Sequence, residues 1–388
     1  MKILFANRYI NELGGIEQYI EDVASRLKEK GHHTGIVHWD ESKGAPHFNE
    51  AHRISAIWDN ELDIDGKTLD RLDEVLKEFS PDIVYLHAVE NKKVIDYFAG
   101  KARTVRYVHG YKTIDPDGKM LLYNPIEESS YPLSPACFLR AFTRRCMPRS
   151  PIKGIKAYMR ARGSLEATKR LDDIIVASDR MKRMLVKNGV EEGKITILPY
   201  FVSYQPTEDA AFDKNRILFA GRIVEAKGLD MLLEVLSLVK EDFILDVAGT
   251  GPAEEACRKK AKDLGLSGKV RFLGWVEHEE VADLYRKCAF LALPSIWPEP
   301  FGICGIEAAF FGKPAVAFNV GGISDWLIDG ETGFLAEPDR KEEMAEKISN
   351  LLNDPEKARE MGKKAKARAV QKYNPDLHLE KLLRIFMK

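Results

Sequence analysis

The chain has 388 residues, 45% hydrophobic and 31% charged, with 59 Lys and Arg against 60 Asp and Glu. That length exceeds one comfortable core and points to two or three domains. The near-neutral balance suits an ordinary globular enzyme, and the absence of an 18-residue apolar run excludes a predicted transmembrane helix. Met1-Lys2 leads straight into ILFAN, too short and wrongly flanked for a signal peptide, so a cytoplasmic protein is expected. The five cysteines (Cys137, Cys146, Cys257, Cys288, Cys304) are odd in number and lack CxxC spacing. Reduced thiols and no structural metal are expected.

In chain order, residues 2–6 read as a buried strand, followed by a polar loop ending in Gly14-Gly15. Ile16, Tyr19, Ile20, Val23 and Leu27 then recur at helical spacing. Strands are predicted over 35–39 and 53–58, a helix over 69–79, a strand over 83–87, a helix over 94–98 and a strand over 104–109. After an irregular segment come a strand (174–177), a helix (181–187) and a strand (195–198). Residues 200–215, with Pro206 and several acids, break the alternation and read as a linker. A second alternation follows: strand 216–220, helix 230–239, strand 243–248, helix 253–264, strand 269–273 and helix 279–287. Strand 289–293, a loop, a helix from Gly302 to Gly312 and strand 315–318 come next. Strand 334–335 and helices 341–352, 356–373 and 376–387 complete the chain, the last expected to cross back to the first domain. Alternating strands and helices predict an α/β protein with parallel, doubly wound sheets. The predicted domains are 1–203 joined by 374–388, and 204–373, with a cleft between two similar halves.

Residues 138–170 depart from the average. They hold ten basic residues (Arg140, Arg144, Arg145, Arg149, Lys153, Lys156, Arg160, Arg162, Lys169, Arg170) and one acid, Glu166, a local charge of +9. A solvated basic helix face, a surface for anionic lipid and a nucleic-acid patch all fit this charge. The neighbouring pattern is not a groove-reading module, which argues against nucleic acid.

The stretch 294–322 carries the most chemistry. Pro294, Pro298 and Pro300 stiffen a loop at the carboxyl end of a predicted strand, where open α/β sheets bind ligands. Main-chain N–H groups at Phe301, Gly302 and Ile303 open a helix, a start suited to an anion. Glu299 precedes that helix and Glu307 lies within it, so a diphosphate, a ribose diol and a second polyol have partners there. That combination describes a nucleotide sugar. Gly221-Arg222 follows a strand and Lys227-Gly228 opens the next helix, so both cations can aim at one diphosphate. Gly249-Thr250-Gly251-Pro252 allows close backbone approach, short of a full GxGxxG fingerprint. Gly274-Trp275-Val276 offers main-chain groups to a base edge. In the first half, Gly14-Gly15-Ile16-Glu17 is a glycine turn at a helix start, and His109 ends a strand, with His87 as its rival.

Together these residues resemble the retaining family 4 glycosyltransferases, which have the two-Rossmann GT-B fold. The resemblance spans essentially the whole chain through GGIEQY, GRIVEAKG, AGTGP, VRFLGWV, EPFGICGIE, GKPAVAFNVGG and DGETGFL. It implies that Arg222 and Lys227 hold the donor diphosphate, Glu307 the ribose hydroxyls and Glu299 the sugar hydroxyls. It also implies that Phe301–Ile303 meet phosphate and sugar, that Gly15 approaches the diphosphate from the other domain, and that His109 lines the sugar. Front-face attack with retention, and no metal or other cofactor, are further implications. Asp115-Pro-Asp117 is accordingly not read as a metal-binding DxD. Asp325 stands where the family often has Glu, and Tyr200-Phe201 where it often has Asn-Gly.

The expected function is transfer of a hexose from a nucleoside-diphosphate sugar to a glycan or lipid-linked acceptor, in polysaccharide or glycolipid synthesis. Catalysis is assigned to His109, Arg222, Lys227 and Glu299. Donor binding is assigned to these with Gly15, Gly221, Gly249, Gly251, Val276, Phe301, Gly302, Ile303 and Glu307, and the acceptor side to Gly14 and Glu17. Peripheral contact with an anionic membrane through 138–170 is expected, and no nucleic-acid partner. A nucleotide-sugar epimerase and an inactive nucleotide-sugar-binding scaffold are the alternatives.

Overall fold

The computed structural model describes residues 1–10, 14–39, 45–59, 62–123, 126–147, 150–204 and 212–388. The chain divides into two compact units, Met1–Tyr200 with Asp376–Lys388, and Phe201–Pro375.

In the first unit the chain runs β1 (Lys2–Ala6), α1 (Gly15–Glu29), β2 (His33–His38), β3 (Glu50–Arg53), α2 (Ala56–Asp59), α3 (Gly66–Phe79), β4 (Ile83–Leu86), α4 (Lys92–Lys101) and β5 (Thr104–Val108). It continues through β6 (Leu121–Tyr123), β7 (Ile126–Glu128), α5 (Ala136–Thr143), α6 (Pro151–Arg170), β8 (Asp173–Val176), α7 (Asp179–Lys187) and β9 (Ile195–Ile197). The sheet order is β3-β2-β1-β4-β5-β8-β9, with every pair parallel. This is a doubly wound order that switches direction between β1 and β4. Strands covered on both faces need side chains without polar atoms, and Ile3, Leu4, Phe5, Val84 and Val105 are fully buried. Of the predicted stripe of α1, Tyr19, Ile20, Val23 and Leu27 are buried and Ile16 is half-buried, with Ala24 joining the buried face.

The second unit runs β10 (Arg216–Ala220), α8 (Leu229–Ser237), β11 (Ile244–Ala248), α9 (Glu254–Asp263), β12 (Val270–Gly274), α10 (His278–Lys287) and β13 (Phe290–Leu293). It ends with α11 (Ile303–Phe310), β14 (Ala315–Phe318), β15 (Gly333–Ala336), α12 (Lys341–Asn353) and α13 (Pro355–Lys372). Its parallel order, β12-β11-β10-β13-β14-β15, switches between β10 and β13. The last helix, α14 (Pro375–Phe386), belongs to the first unit apart from its first residue. Arg103 donates to the Ile385 and Phe386 carbonyls at 2.6 and 2.8 Å, capping the orphan end of α14 with a cation.

Three sequence expectations change. The strand placed over 53–58 ends at Arg53, and α2 follows. Ile54 N–H still bonds to the His38 carbonyl at 2.8 Å, but Trp58 N–H turns back to Ser55 at 3.0 Å. The Trp58 indole donates to the Ala88 carbonyl at 2.9 Å, so the apolar run is buried through a helical turn. The stretch read as irregular after His109 holds the antiparallel β6–β7 hairpin, α5 and α6. The usual amphipathic pattern is inverted in α6. Its inward face carries Gly154, Tyr158, Ala161, Ser164, Leu165, Ala167 and Thr168, while Ile152, Ile155 and Met159 point outward. Finally, residues 205–211 of the predicted linker, Pro206 included, and Arg149 lie outside the described residues.

Asp115 belongs to the fold. Its carboxylate accepts N–H bonds from Lys119 and Met120 at 2.8 and 2.9 Å, and burial pushes it up to about 6. Asp117 pairs with Lys119 at 3.2 Å, so both acids of the Asp-Pro-Asp sequence are committed to their own loop.

Candidate active site

The richest cluster lies at the switch point of the second sheet, where the loops after β10 and β13 diverge. The loop after β10 makes a single 3-10 turn, Glu225–Lys227, and ends at Gly228 in the left-handed region at φ 67°. A Cβ on Gly228 would stand 1.9 Å from the Pro294 carbonyl oxygen, so only glycine lets the two loops touch. The Ala226 carbonyl accepts Ile296 N–H at 3.1 Å and Trp297 N–H at 3.0 Å. This stitching sets Lys227 opposite Glu299, with Nζ 2.5 Å from Oε1 and 5.0 Å from the centre of the Trp297 ring. Ser295 Oγ donates to the same Oε1 at 2.7 Å. Glu299 is only 4% exposed, and a carboxylate that dry requires such partners. Arg222, from the same loop, is exposed, and its side chain has no ion-pair or hydrogen-bond partner among the described residues. One cation is held in place and the other is free.

The β13 loop leads into α11 through Gly302, whose φ is 85°. The first-turn N–H groups of Ile303 and Cys304 have no intrahelical acceptor. Trp326 Nε1–H donates to the Phe301 carbonyl at 2.7 Å and fixes the helix entry. Glu307, one turn on, is half-buried and accepts from the Tyr285 hydroxyl at 2.9 Å. Burial and the facing Glu307 raise the Tyr285 phenol well above its ordinary value, so it stays a donor. Burial likewise pushes the Cys304 thiol up to about 12, against the opposing pull of Lys227, which removes it as a nucleophile.

Gly249 and Gly251 serve loop-to-loop contact. A Cβ on Gly249 would lie 2.0 Å from the Gly221 carbonyl oxygen, and Gly251 faces the Ile223 carbonyl in the same way. Gly249 N–H donates to Gly274 O at 2.8 Å, and Ile223 N–H to Thr250 O at 2.8 Å. The loops bearing Gly221, Gly249 and Val276 are therefore knitted into one edge, with Val276 half-buried.

The remaining predicted residues belong to the first unit. Gly14 caps α1, Gly15 opens it, and both are exposed; the Glu17 carboxylate folds back over Gly14. His109 stands one residue beyond β5, and its rival His87 is its partner. Their Nε2 and Nδ1 atoms are 2.7 Å apart, and His109 Nδ1 lies 2.7 Å from the Tyr200 hydroxyl. Both ring nitrogens of His109 are thus engaged internally. Burial, helped by the Arg106 charge, pushes His109 down to about 3, so the imidazole is neutral.

Lys227, Glu299, Phe301–Ile303 and Glu307 thus gather on one edge of the second sheet, while Gly14, Gly15, Glu17 and His109 form a separate group in the first unit. The sequence reading missed Ser295, Trp297, Tyr285 and Tyr200. Ser295 and Trp297 stand inside the motif stretch and were within reach. Tyr285 lies 22 residues from Glu307 and Tyr200 lies 91 from His109, so no local spacing signals them. Among the described residues no group of three or more His, Cys, Asp or Glu is arranged to hold a metal ion.

Two Rossmann-like halves, each built on a parallel doubly wound sheet, define the GT-B class of α/β proteins. Sequence models give the family: "Glycosyltransferase Family 4" matches residues 13–205 and "Glycosyl transferases group 1" residues 205–368. The chain belongs to this group 1, family 4 glycosyltransferase family. An uncharacterized glycosyltransferase of Bacillus subtilis is 30% identical over 222 residues, covering 55% of this chain and 61% of that protein. The chain spans about half to three fifths of the curated relatives it matches. Sucrose-phosphate synthase from Thermosynechococcus elongatus has the same fold, with a TM-score of 0.76 at 18% identity over 99% of this chain and 98% of the other. Anabaena HepE, solved in complex with UDP and glucose, superimposes with a TM-score of 0.71 at 18% identity, covering 99% and 98% of the two chains.

Proposed function

We propose that the chain is a retaining, metal-independent glycosyltransferase that moves a hexose from a nucleoside-diphosphate sugar to a glycan or lipid-linked acceptor. The observation that carries this reading is the Lys227–Glu299 pair beside the unpartnered Arg222, at a sheet switch point next to the start of α11. Arg222 and Lys227 neutralise the diphosphate, and the first-turn N–H groups of α11 add donors. Glu299 binds hydroxyls of the sugar and Glu307 those of the ribose. Gly15 approaches the diphosphate, His109 lines the sugar, and Gly14 and Glu17 face the acceptor.

In the proposed reaction the bond between the anomeric carbon and the diphosphate oxygen breaks as the acceptor oxygen bonds to the same carbon face. The acceptor proton passes to the departing diphosphate. Charge grows on that diphosphate in the transition state, so fixed cations lower the barrier more than they tighten ground-state binding. The uridine diphosphate held by the HepE structure makes UDP-sugars the first donors to test. Purified chain should hydrolyse or bind at least one sugar of a UDP, GDP and ADP panel, with turnover resistant to EDTA. Binding of none would end the reading. Conversion of the donor alone into its epimer would replace transferase with epimerase, and an inverted product would remove retention.

A further inference from the structure

We propose that α5 and α6 together form a docking face for an anionic lipid bilayer, with aliphatic side chains entering the membrane and unpaired cations at headgroup depth. The first observation is the inverted packing of α6. Ile152, Ile155 and Met159 are 70, 53 and 51% exposed, and Leu139 and Phe142 of α5 are 68 and 65% exposed. Single exposed apolar residues are normal, but five large ones on two helices that pack on one shared core are a mark of docking. The two helices are held as a unit by Cys137, Ala141, Cys146, Met147 and Tyr158, with the Phe138 ring 5.1 Å from that of Tyr158.

The outward orientation is built in. The inner face of α6 is fastened by the buried Arg106, which donates to Ser164 Oγ at 3.1 Å and to Thr168 Oγ1. Arg160 donates to the Pro116 carbonyl at 2.8 Å. Turning Ile152 and Ile155 inward would break these bonds and carry Lys156 and Arg162 toward the core.

Charge selects the occupant. Within 138–170, Arg144, Lys169 and Arg170 pair with Glu127, Glu166 and Asp96, and Arg140 and Arg160 bond to carbonyls. Arg145, Lys153, Lys156 and Arg162 have no acidic partner among the described residues, and all four are exposed. No acid occurs in the sequence between Ser129 and Leu165. By helical spacing Lys156 and Lys153 flank the Ile152–Ile155–Met159 stripe on one side and Arg162 on the other. A second copy of this face would bring like charges together, and nucleic acid would leave the aliphatic side chains wet. A bilayer with anionic headgroups satisfies both parts of the surface.

This docking is independent of the donor chemistry, and UDP-sugar binding measured on the same variants keeps the two apart. The full chain is sedimented with vesicles of phosphatidylcholine alone or mixed with phosphatidylglycerol, across a range of salt. The mixed vesicles should capture it and the neutral ones should not. Lys153→Gln and Lys156→Gln should each lower partitioning about fivefold at low salt. Ile152→Ser, Ile155→Ser and Met159→Ser combined should remove the salt-resistant fraction, and Lys169→Gln, whose lysine is already paired, should change little. Equal capture by both vesicle types, capture by neither, or an unchanged salt-resistant fraction in the triple variant overturns the proposal. Self-association that disappears in Ile155→Ser overturns it in favour of a protein contact.

Discussion

Lys227 Nζ and Glu299 Oε1 lie 2.5 Å apart, so the cation expected to hold phosphate and the carboxylate expected to hold sugar hydroxyls are bonded to each other. The pair is lopsided, with Glu299 almost fully buried and Lys227 about a quarter exposed. Removing the lysine strands a dry carboxylate, whereas neutralising the glutamate leaves a cation that can reach water. Lys227→Ala should therefore cost about 2–3 kcal/mol of stability, and Glu299→Gln less. The double variant should recover part of the loss, a coupling visible in a denaturant cycle. Strict additivity of the two single losses would show that the contact carries no weight. Turnover should fall by orders of magnitude in every one of these variants.

Arg222 gives the contrasting case. Its side chain is exposed and unpartnered among the described residues, so the fold loses nothing with it. Arg222→Ala should leave the melting temperature within a degree or so, since surface changes of this kind stay within about 0.5 kcal/mol. Nucleoside-diphosphate affinity should fall about 10–100-fold through the lost charge-assisted bonds. Calorimetry against UDP and GDP measures this directly. Unchanged affinity for every nucleotide would remove Arg222 from the site.

Glu307 and Tyr285 should discriminate sugar-ring contacts from phosphate contacts. The Tyr285 hydroxyl holds Glu307 Oε2 at 2.9 Å and so orients the carboxylate proposed to meet the ribose diol. Glu307→Gln should weaken UDP binding about tenfold and barely alter the binding of pyrophosphate, which has no hydroxyls. Tyr285→Phe should act in the same direction but more weakly, by loosening the carboxylate. Equal losses for UDP and pyrophosphate would place Glu307 on the phosphates instead.

What the sequence made legible follows from how local each signal is. Central parallel strands such as β1, β4 and β13 announce themselves as apolar runs, whereas β3 (EAHR) does not, and the helix stripe of α1 has its spacing written in five residues. The motif stretch around Glu299 and Glu307 was readable because a strand, a proline loop and a helix start follow one another directly. The Lys227–Glu299 contact was not, because it spans 72 residues and depends on Gly228 meeting Pro294. The hydrogen bond between His87 and His109 was hidden for a similar reason. Residue-by-residue reading makes two histidines at neighbouring strand ends competitors, whereas sheet order makes them partners. In α6 the difficulty is different. An apolar stripe is ordinarily core, and there Ile152, Ile155 and Met159 are outside while the core face is mostly small residues around Tyr158 and Leu165.

Acid should weaken the first unit through its buried imidazoles. His378 of α14 lies 2.8 Å from the Pro199 carbonyl through Nδ1 and 2.8 Å from the Tyr19 hydroxyl through Nε2. The carbonyl can only accept, so Nδ1 carries the proton and Nε2 accepts from Tyr19. Burial pushes His378 down to about 3, with the carbonyl opposing; burial also lowers His109 to about 3 and lowers His87 well below its ordinary value. A folded-state value below the unfolded one, about 6.5, means the unfolded chain binds more protons between the two. The stabilisation is therefore complete above about pH 6.5 and is lost as pH falls toward 3. His378 alone contributes on the order of a few kcal/mol over that whole range. Intrinsic-rate-corrected hydrogen exchange should show protection in α14 and β1 declining from about pH 6.5 downward. His378→Gln, which cannot gain a proton, should lower protection at neutral pH and flatten part of that decline. Protection that holds steady or rises on acidification would mean that these imidazoles do not set the acid response of the unit.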